Sequence, residues 1–239
     1  MATGMLYNIF VCFITGLTGI VVFNLLRRTR KEKNKTYSEG IDYFCLLFGL
    51  VWILTGLGVL FVWLDHPELD VFVFKWFTSP LIYIHLLPVF YYFTWSLFRE
   101  RQKLRSFLNI VFTLIAALTI LSFWKYGFAR SEITYWGSTL VPNELTNNLF
   151  TFGIFLPALL FIIIELIRRF KKWKETGDST ERQLFGFNLG FLVYAITGFF
   201  DALASAQGWL MLLARIGSML PPLIFYLFAT LEDEKDSQI

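Results

Sequence analysis

The chain has 239 residues, of which 56% are hydrophobic and 19% are aromatic, and its mean hydropathy is +0.59. This composition exceeds what soluble globular domains show, so we expect lipid to be the main solvent of the chain. The formal net charge of +3 gives no sign of a nucleic-acid-binding surface.

Seven apolar stretches are long enough to cross a bilayer. A spanning helix needs about 20 mostly apolar residues, because each residue rises about 1.5 Å and the hydrocarbon layer is about 30 Å thick. The sequence therefore predicts an all-α integral membrane bundle. In chain order its helices cover residues 4–26, 42–64, 71–98, 106–124, 148–168, 184–204 and 209–231.

The polar breaks between these helices alternate in charge. Basic side chains fill the breaks after the first, third and fifth helices, whereas the breaks after the second and sixth contain no Lys or Arg. Of the loop cations, Lys125 and Arg130 fall on the opposite side from the basic breaks. The positive-inside rule makes the basic side cytoplasmic, with Met1 outside and Ile239 inside. We expect a multi-pass protein of the plasma (inner) membrane.

No basic region precedes the first apolar stretch, so we expect this stretch to remain as a helix after synthesis rather than to be removed as a signal peptide. Cys12 and Cys45 lie in the apolar interiors of the first two helices. They are expected to pack as small hydrophobic side chains and to form no disulfide.

Two pairs of segments in the two halves of the chain are similar to each other. Residues 24–33, NLLRRTRKEK, match residues 165–174, ELIRRFKKWK. The segment FGLVWILTG, which ends at Gly56, matches GFLVYAITG, which ends at Gly198, with a register shift of one residue. Such self-similarity indicates an internal repeat. Apolar helices followed by basic loops also resemble each other for reasons of topology alone, which is the alternative explanation.

The repeat interpretation divides the single membrane domain into four parts. Residues 1–98 and 148–231 are two copies of a three-helix unit that enter the membrane in the same direction. Residues 99–147 hold the connecting fourth helix and an outer loop, and residues 232–239 form a cytoplasmic tail. The predicted arrangement is a parallel repeat of three, one and three helices.

Charged residues are few within the predicted helices, where an unpaired charge costs several kcal/mol. Lys75, Asp201 and Arg215 all fall in the outer half of the bundle. In one interpretation, Lys75 and Arg215 bind an anionic head group and Asp201 balances one cation. In the other, Asp201 and Arg215 form a structural salt bridge and Lys75 extends to the membrane interface.

His85 and Tyr83 lie deeper in the third helix and complete the set of candidate ligand-binding residues. A single imidazole relays protons or binds a ligand in some proteins, and bonds to a neighbouring helix in others. Two histidines without a Cys–His cluster are too few for a catalytic zinc or a bis-histidine haem. No catalytic motif is present, so we expect neither an enzyme nor a cofactor or metal site.

Other polar and proline residues have structural explanations. Glu165 precedes Arg168 and Arg169 at spacings of three and four residues, which predicts ion pairs along one helix. Prolines are expected to kink the third, fifth and seventh helices. These prolines are Pro80, Pro88, Pro157, Pro221 and Pro222.

Two short segments resemble microbial rhodopsins: residues 214–217, ARIG, in the seventh helix and residues 78–81, TSPL, in the third. The resemblance would place the retinal-binding lysine at Arg215. A guanidinium cannot form the imine that covalent retinal requires, so no retinal is expected here.

A broader likeness covers nearly the whole chain. The basic run after the first helix, Trp52, and residues 68–98, in which Pro88 and aromatic residues precede Arg99, resemble the seven-helix N-terminal sensor regions of bacterial and archaeal histidine kinases and related receptors. The second half adds the similar positions Glu181, Arg182, Gln183, Gly190, Thr197, Gly198, Asp201, Gly217, Pro221 and Tyr226. The resemblance implies sensing of a ligand or of the membrane. The residues after Leu231 show no kinase domain, so we expect either that output comes from a separate protein or that the module has another task.

Three functions remain open from the sequence. The first is a receptor-like module that binds a small or lipidic ligand from the outer side and relays a helix rearrangement to a cytoplasmic signalling protein. The second is a small-solute transporter with a site near the midplane between the repeats. The third is a membrane scaffold without a ligand. Membrane lipids are partners in each case, and the few polar residues of the midplane favour the receptor: Thr78, Ser79, His85, Asn188 and Ser218.

Overall fold

A computed structural model describes residues 2–33, 39–204 and 208–230. Within these ranges seven helices are long and apolar enough to cross a membrane, which confirms the predicted multi-pass membrane bundle. The part of the first basic loop over residues 34–38 and the predicted tail over residues 232–239 lie outside the described residues. The helices are α1 Ala2–Lys33, α2 Glu39–Trp63, α3 Pro67–Leu97, α4 Gln102–Tyr126, α5 Glu144–Thr176, α6 Ser179–Ala204 and α7 Gly208–Thr230.

Two of the helices run well past the apolar stretches predicted for them. α1 continues to Lys33 and α5 continues to Thr176, so both include the basic residues that were predicted to form loops. Lys and Arg have high helix propensity, and their long side chains reach water from a helix that extends beyond the lipid. The hydropathy pattern therefore predicted the apolar part of each helix but not the residue at which the helix ends.

The helices pack in chain order around a closed ring. Each helix contacts the next one along the chain, α1 also packs against α7, and α3 packs against α5. Fully buried aromatic rings from α2, α3, α6 and α7 fill the interior, and the ring centroids of neighbouring members lie about 5–6 Å apart. The rings are those of Phe44, Phe93, Phe191 and Phe225.

Backbone interruptions occur in the three helices for which prolines predicted kinks. Five-residue π-helical turns occupy Phe74–Thr78 in α3 and Thr151–Phe155 in α5, and each is followed by a proline. Turns at residues 85–86 in α3 and 218–219 in α7 also precede prolines. Proline lacks the N–H group of the helical hydrogen bond and clashes with the carbonyl four residues earlier, so the helix must adjust at each site.

A β-hairpin between α4 and α5 was not predicted, because the sequence interpretation treated this segment as a loop. Its antiparallel strands are β1 Phe128–Thr134 and β2 Gly137–Pro142. Gly137 has a φ of 133°, a conformation that favours glycine at the turn. β2 packs against the ends of α1, α2 and α3. We call this side of the bundle the hairpin end, and the opposite side, which carries the basic loops, the basic end.

Glycines allow the backbones of α1 and α2 to approach closely. A β-carbon added at Gly19 would lie 2.8 Å from the carbonyl oxygen of Cys45 and 2.9 Å from the Cα of Gly49. Both neighbours are backbone atoms, which cannot move aside as a flexible side chain would. Small residues at contacts of this kind are typical of membrane helix pairs.

Replacement of Gly19 by alanine should therefore separate the two helices. We expect Gly19→Ala to lower the free energy of unfolding by about 1–3 kcal/mol, the usual cost of overpacking, in thermal unfolding of the detergent-solubilised protein. Gly198→Ala is the matched control, because a β-carbon at Gly198 has no neighbour within 4 Å. Equal melting temperatures for the two variants would contradict the close packing of α1 on α2.

Candidate functional site

The structure brings Asp201 and Arg215 together at the hairpin end. Asp201 lies in the last turn of the described part of α6, and Arg215 lies about 10 Å along α7 from its start at Gly208. The guanidinium Nε donates to Oδ1 of Asp201 at 2.9 Å. The side chain of Arg215 is 11% exposed and that of Asp201 is 27% exposed, so the carboxylate is the more accessible partner.

Helices α1 and α2 complete the surroundings of the guanidinium. Nη1 of Arg215 donates to Oδ1 of Asn8 at 2.6 Å and also contacts the sulfur of Cys12 at 3.5 Å. The guanidinium carbon lies 5.6 Å from the centroid of the Trp52 ring, a cation–π distance. Asn8 was missed from the sequence, because an uncharged amide near the start of an apolar helix gives no sign of a partner in α7.

The β-hairpin is joined to the same group of residues. The amide Nδ2 of Asn8 donates to the backbone carbonyl of Trp136 at 2.7 Å, and the hydroxyl of Ser138 donates to Asp70 of α3. The indole of Trp136 packs against Gly208 so closely that a β-carbon would not fit there. The hairpin turn thus connects α1 with the start of α7 beside the Asp201–Arg215 pair.

Lys75 has contacts of a different kind. Its ammonium nitrogen lies 5.6 Å from the ring centroid of Trp76, and its backbone carbonyl accepts a hydrogen bond of 3.1 Å from the Trp124 indole of α4. Across the described ranges, no contact joins Lys75 to Asp201 or Arg215. Lys75 and Arg215 were predicted to bind one anionic group together, and the contacts of Lys75 do not bring it to Arg215.

His85 and Tyr83 are buried in the interior of the bundle. Nδ1 of His85 donates to the backbone carbonyl of Ile82 at 2.6 Å, so Nε2 is free to accept a hydrogen bond from the Tyr194 hydroxyl of α6. Tyr83 packs against Phe150 of α5, with ring centroids 5.4 Å apart. Both nitrogens of the imidazole thus have protein partners, and Tyr83 faces a different helix from His85.

A second buried ionic cluster lies at the basic end. Glu165 is fully buried and forms ion pairs with Arg168 at 2.6 Å and with Arg169 at 3.0 Å, which confirms the predicted ion pairs along the helix. Arg169 also binds Glu181 of α6 at 2.8 Å, and Ser96 of α3 donates to Glu165 at 2.9 Å. The sequence did not reveal that Ser96 of α3 and Glu181 of α6 belong to this cluster. The cluster therefore joins three helices.

Helix α6 is bonded to a different helix at each of three depths. Glu181 binds Arg169 of α5 at the basic end, Tyr194 binds His85 of α3 in the middle, and Asp201 binds Arg215 of α7 at the hairpin end. By helical rise, Glu181 and Asp201 are about 30 Å apart on this one uninterrupted helix. Both ends of α6 therefore take part in ion pairs with a neighbouring helix.

Within the ranges that the structure describes, no group of three or more His, Cys, Asp or Glu side chains could hold a metal ion. A crevice of about 340 Å³ lies between α2, α3 and α4, on another part of the bundle from the Asp201–Arg215 pair. Comparison with known proteins gives no match: no family model, no curated protein and no solved structure matches the chain.

The Asp201–Arg215 pair can be tested with a double-mutant cycle. Asp201→Asn leaves the guanidinium in the membrane without its carboxylate, so we expect a loss of about 2–3 kcal/mol of unfolding free energy, below the usual cost for a fully buried pair because Asp201 is partly exposed. Arg215→Met in the same chain should recover part of this loss, since the unpaired charge is then removed.

The matched control is Asp65→Asn, because Asp65 is exposed at the same end and has no ion pair with any residue that the structure describes. Unfolding in detergent is the measurement. Losses for Asp201→Asn and Arg215→Met that simply add in the double variant would show that the two side chains do not interact.

Proposed function

We propose that this chain is a receptor-like sensor module of the membrane. It binds a small or lipidic ligand at the hairpin end, and the ligand causes a helix rearrangement that a separate cytoplasmic signalling protein reads at the basic end. The observation that carries the proposal is the bonding of α6 to ionic clusters at both of its ends, through Asp201 and Glu181.

The chemistry of the hairpin end favours a ligand that carries a hydrogen-bond acceptor, such as a carboxylate or a phosphate. Arg215 is always charged, and its planar donors suit such groups. Because Asp201 is more exposed than Arg215, an anionic group can take its place beside the guanidinium. Such a ligand binds the arrangement in which Asp201 has left Arg215 better than the arrangement in which the two are paired. This difference in affinity is what a ligand needs in order to shift a conformational equilibrium.

Transmission follows from the stiffness of α6. A packed helix that is released at one end moves as a unit by about 1–2 Å, because close-packed interiors switch between discrete arrangements. Such a movement would alter the Arg169–Glu181 contact at the basic end. The neighbouring surface of α5, with Lys171, Lys172 and Lys174, would then present a changed set of charges to an acidic partner.

The proposal places the hairpin end outside and the basic end in the cytoplasm of a plasma (inner) membrane protein. The basic residues at the ends of α1, α3 and α5 support this orientation through the positive-inside rule. The opposite orientation would direct the exposed hairpin and the Asp201–Arg215 pair into the cell.

A parallel repeat is part of the same proposal. The register that aligns Gly56 with Gly198 also aligns Pro80 of α3 with Pro222 of α7, and each proline follows a backbone interruption. It aligns Trp52 with Tyr194 as well. Trp52 lies against Arg215, and Tyr194 lies against His85. Related positions of the two halves thus hold related features.

The polar residues of the midplane favour a sensor over a transporter. Ser218 and Asn188 donate to carbonyl groups of their own helices, at 3.0 Å and 2.7 Å, and Thr78 does so at 3.5 Å. His85 is occupied by Ile82 and Tyr194. Oγ of Ser79 and Oδ1 of Asn188 are buried without a hydrogen-bond partner among the described residues. A solute-binding site would need more free polar groups than these two, facing a common space.

Coupling between the two ends can be measured without knowing the ligand. Asp201→Asn imitates the loss of the carboxylate from Arg215. Spin labels at Lys103→Cys on α4 and Ser179→Cys on α6, both exposed at the basic end, report the movement of α6 by electron spin resonance. We expect Asp201→Asn to shift the distance distribution by about 2 Å. Cys12 and Cys45 are buried, so labelling should be selective.

Asp65→Asn serves as the control, and it should leave the distances unchanged. A distribution that is identical in Asp201→Asn and in the parent protein would defeat the sensor proposal. Uptake of labelled sugars or amino acids into proteoliposomes, absent from protein-free vesicles, would also defeat it and support a transporter.

A further inference from the structure

The crevice between α2, α3 and α4 is open on the outer surface of the bundle. Its walls include Ile84 and Tyr91 of α3, both exposed, and its floor is formed by Phe90 and Phe112, whose rings stack at 3.8 Å. Pro88 lines it at the place where α3 is interrupted, so the break in the helix creates the space. The crevice lies within membrane-spanning helices, so its occupant must come from the bilayer.

Asn109 of α4 places an unsatisfied donor in this crevice. Its Oδ1 accepts a hydrogen bond of 2.8 Å from the Thr94 hydroxyl, which holds the carboxamide in position. Its amide nitrogen has no hydrogen-bond partner among the residues that the structure describes. An unpaired amide in lipid costs free energy, so this group favours a molecule that offers an acceptor.

Arg105 lies one helical turn from Asn109, toward the basic end, and Thr113 lies one turn farther into the membrane. Residues four apart share a face of the helix and differ in depth by about 6 Å. No carboxylate in the described ranges forms an ion pair with Arg105. The face of α4 therefore presents a cation, then an amide donor, then an apolar crevice, in order of increasing depth.

We propose that this crevice binds an anionic phospholipid. The phosphate contacts Arg105, an ester carbonyl accepts a hydrogen bond from the Asn109 amide, and the acyl chain lies against Pro88 and Phe112. The order of these three parts in a phospholipid matches the order of the three features along α4. This site is independent of the proposed ligand site, which lies at the other end of the bundle.

The test uses the purified full chain in detergent, with thermal unfolding followed during addition of phosphatidylglycerol or phosphatidylcholine. Phosphatidylglycerol should raise the melting temperature at lower mole fractions than phosphatidylcholine. Arg105→Gln should reduce its apparent affinity about fivefold, the effect of one cation near an anionic lipid. Arg101→Gln, a change of an exposed cation at the same end, should leave the affinity unchanged.

Asn109→Leu tests the amide, and Thr113→Val is its control, because that variant removes a hydroxyl bonded to the backbone carbonyl of Asn109 but keeps the carboxamide and its bond to Thr94. Loss of affinity in Asn109→Leu with retention in Thr113→Val supports the site. Equal effects of the two lipids, or equal responses of Arg105→Gln and Arg101→Gln, would overturn it. A stabilisation that inorganic phosphate reproduces would also overturn it, in favour of a free-phosphate site.

Discussion

Lipid offers no hydrogen-bond partner to a charge, and the guanidinium of Arg215 must therefore be satisfied by the protein itself. Asp201 supplies the opposite charge, Asn8 supplies an acceptor and Trp52 supplies an aromatic face. These residues come from four different helices. A single cation in α7 thus fixes the relative positions of α1, α2 and α6 at the hairpin end, and the hairpin is attached to the same group through Asn8.

At the basic end, too, a buried charge is paired within the protein, by other residues. Glu165 is fully buried, and its two oxygens are shared between Arg168 and Arg169, while Ser96 and Glu181 extend the cluster to α3 and α6. Between the two clusters the interior is mainly apolar, with aromatic rings packed among aliphatic side chains. Apolar packing is favourable for many relative positions of the helices. The ion pairs and hydrogen bonds at the two ends therefore specify which helix faces which. Helix α6 belongs to both clusters, and this makes it the element through which they can communicate.

The features that could be predicted from the sequence are those with a local or periodic signal. An apolar stretch of about 20 residues is sufficient to predict a spanning helix. The ion pairs of Glu165 follow from spacing along one helix. The hairpin was missed, because its mixed polar and apolar segment between two spanning helices was treated as a loop. The partnership of Asn8 with Arg215 joins opposite ends of the chain, and nothing near either residue indicates it. Lys75 falls at a depth similar to that of Arg215, but sequence does not tell which neighbours a helix faces.

An outward-facing ligand site requires the two ends of the bundle to face opposite sides of the membrane. Single cysteines at Ser131 in β1 and Ser179 at the start of α6 are exposed at the hairpin end and the basic end, respectively. In intact cells, a membrane-impermeant maleimide should label Ser131→Cys at once and Ser179→Cys only after the membrane is permeabilised. Labelling of both positions from the outside, or of Ser179→Cys alone, would contradict the orientation and the outward-facing ligand site.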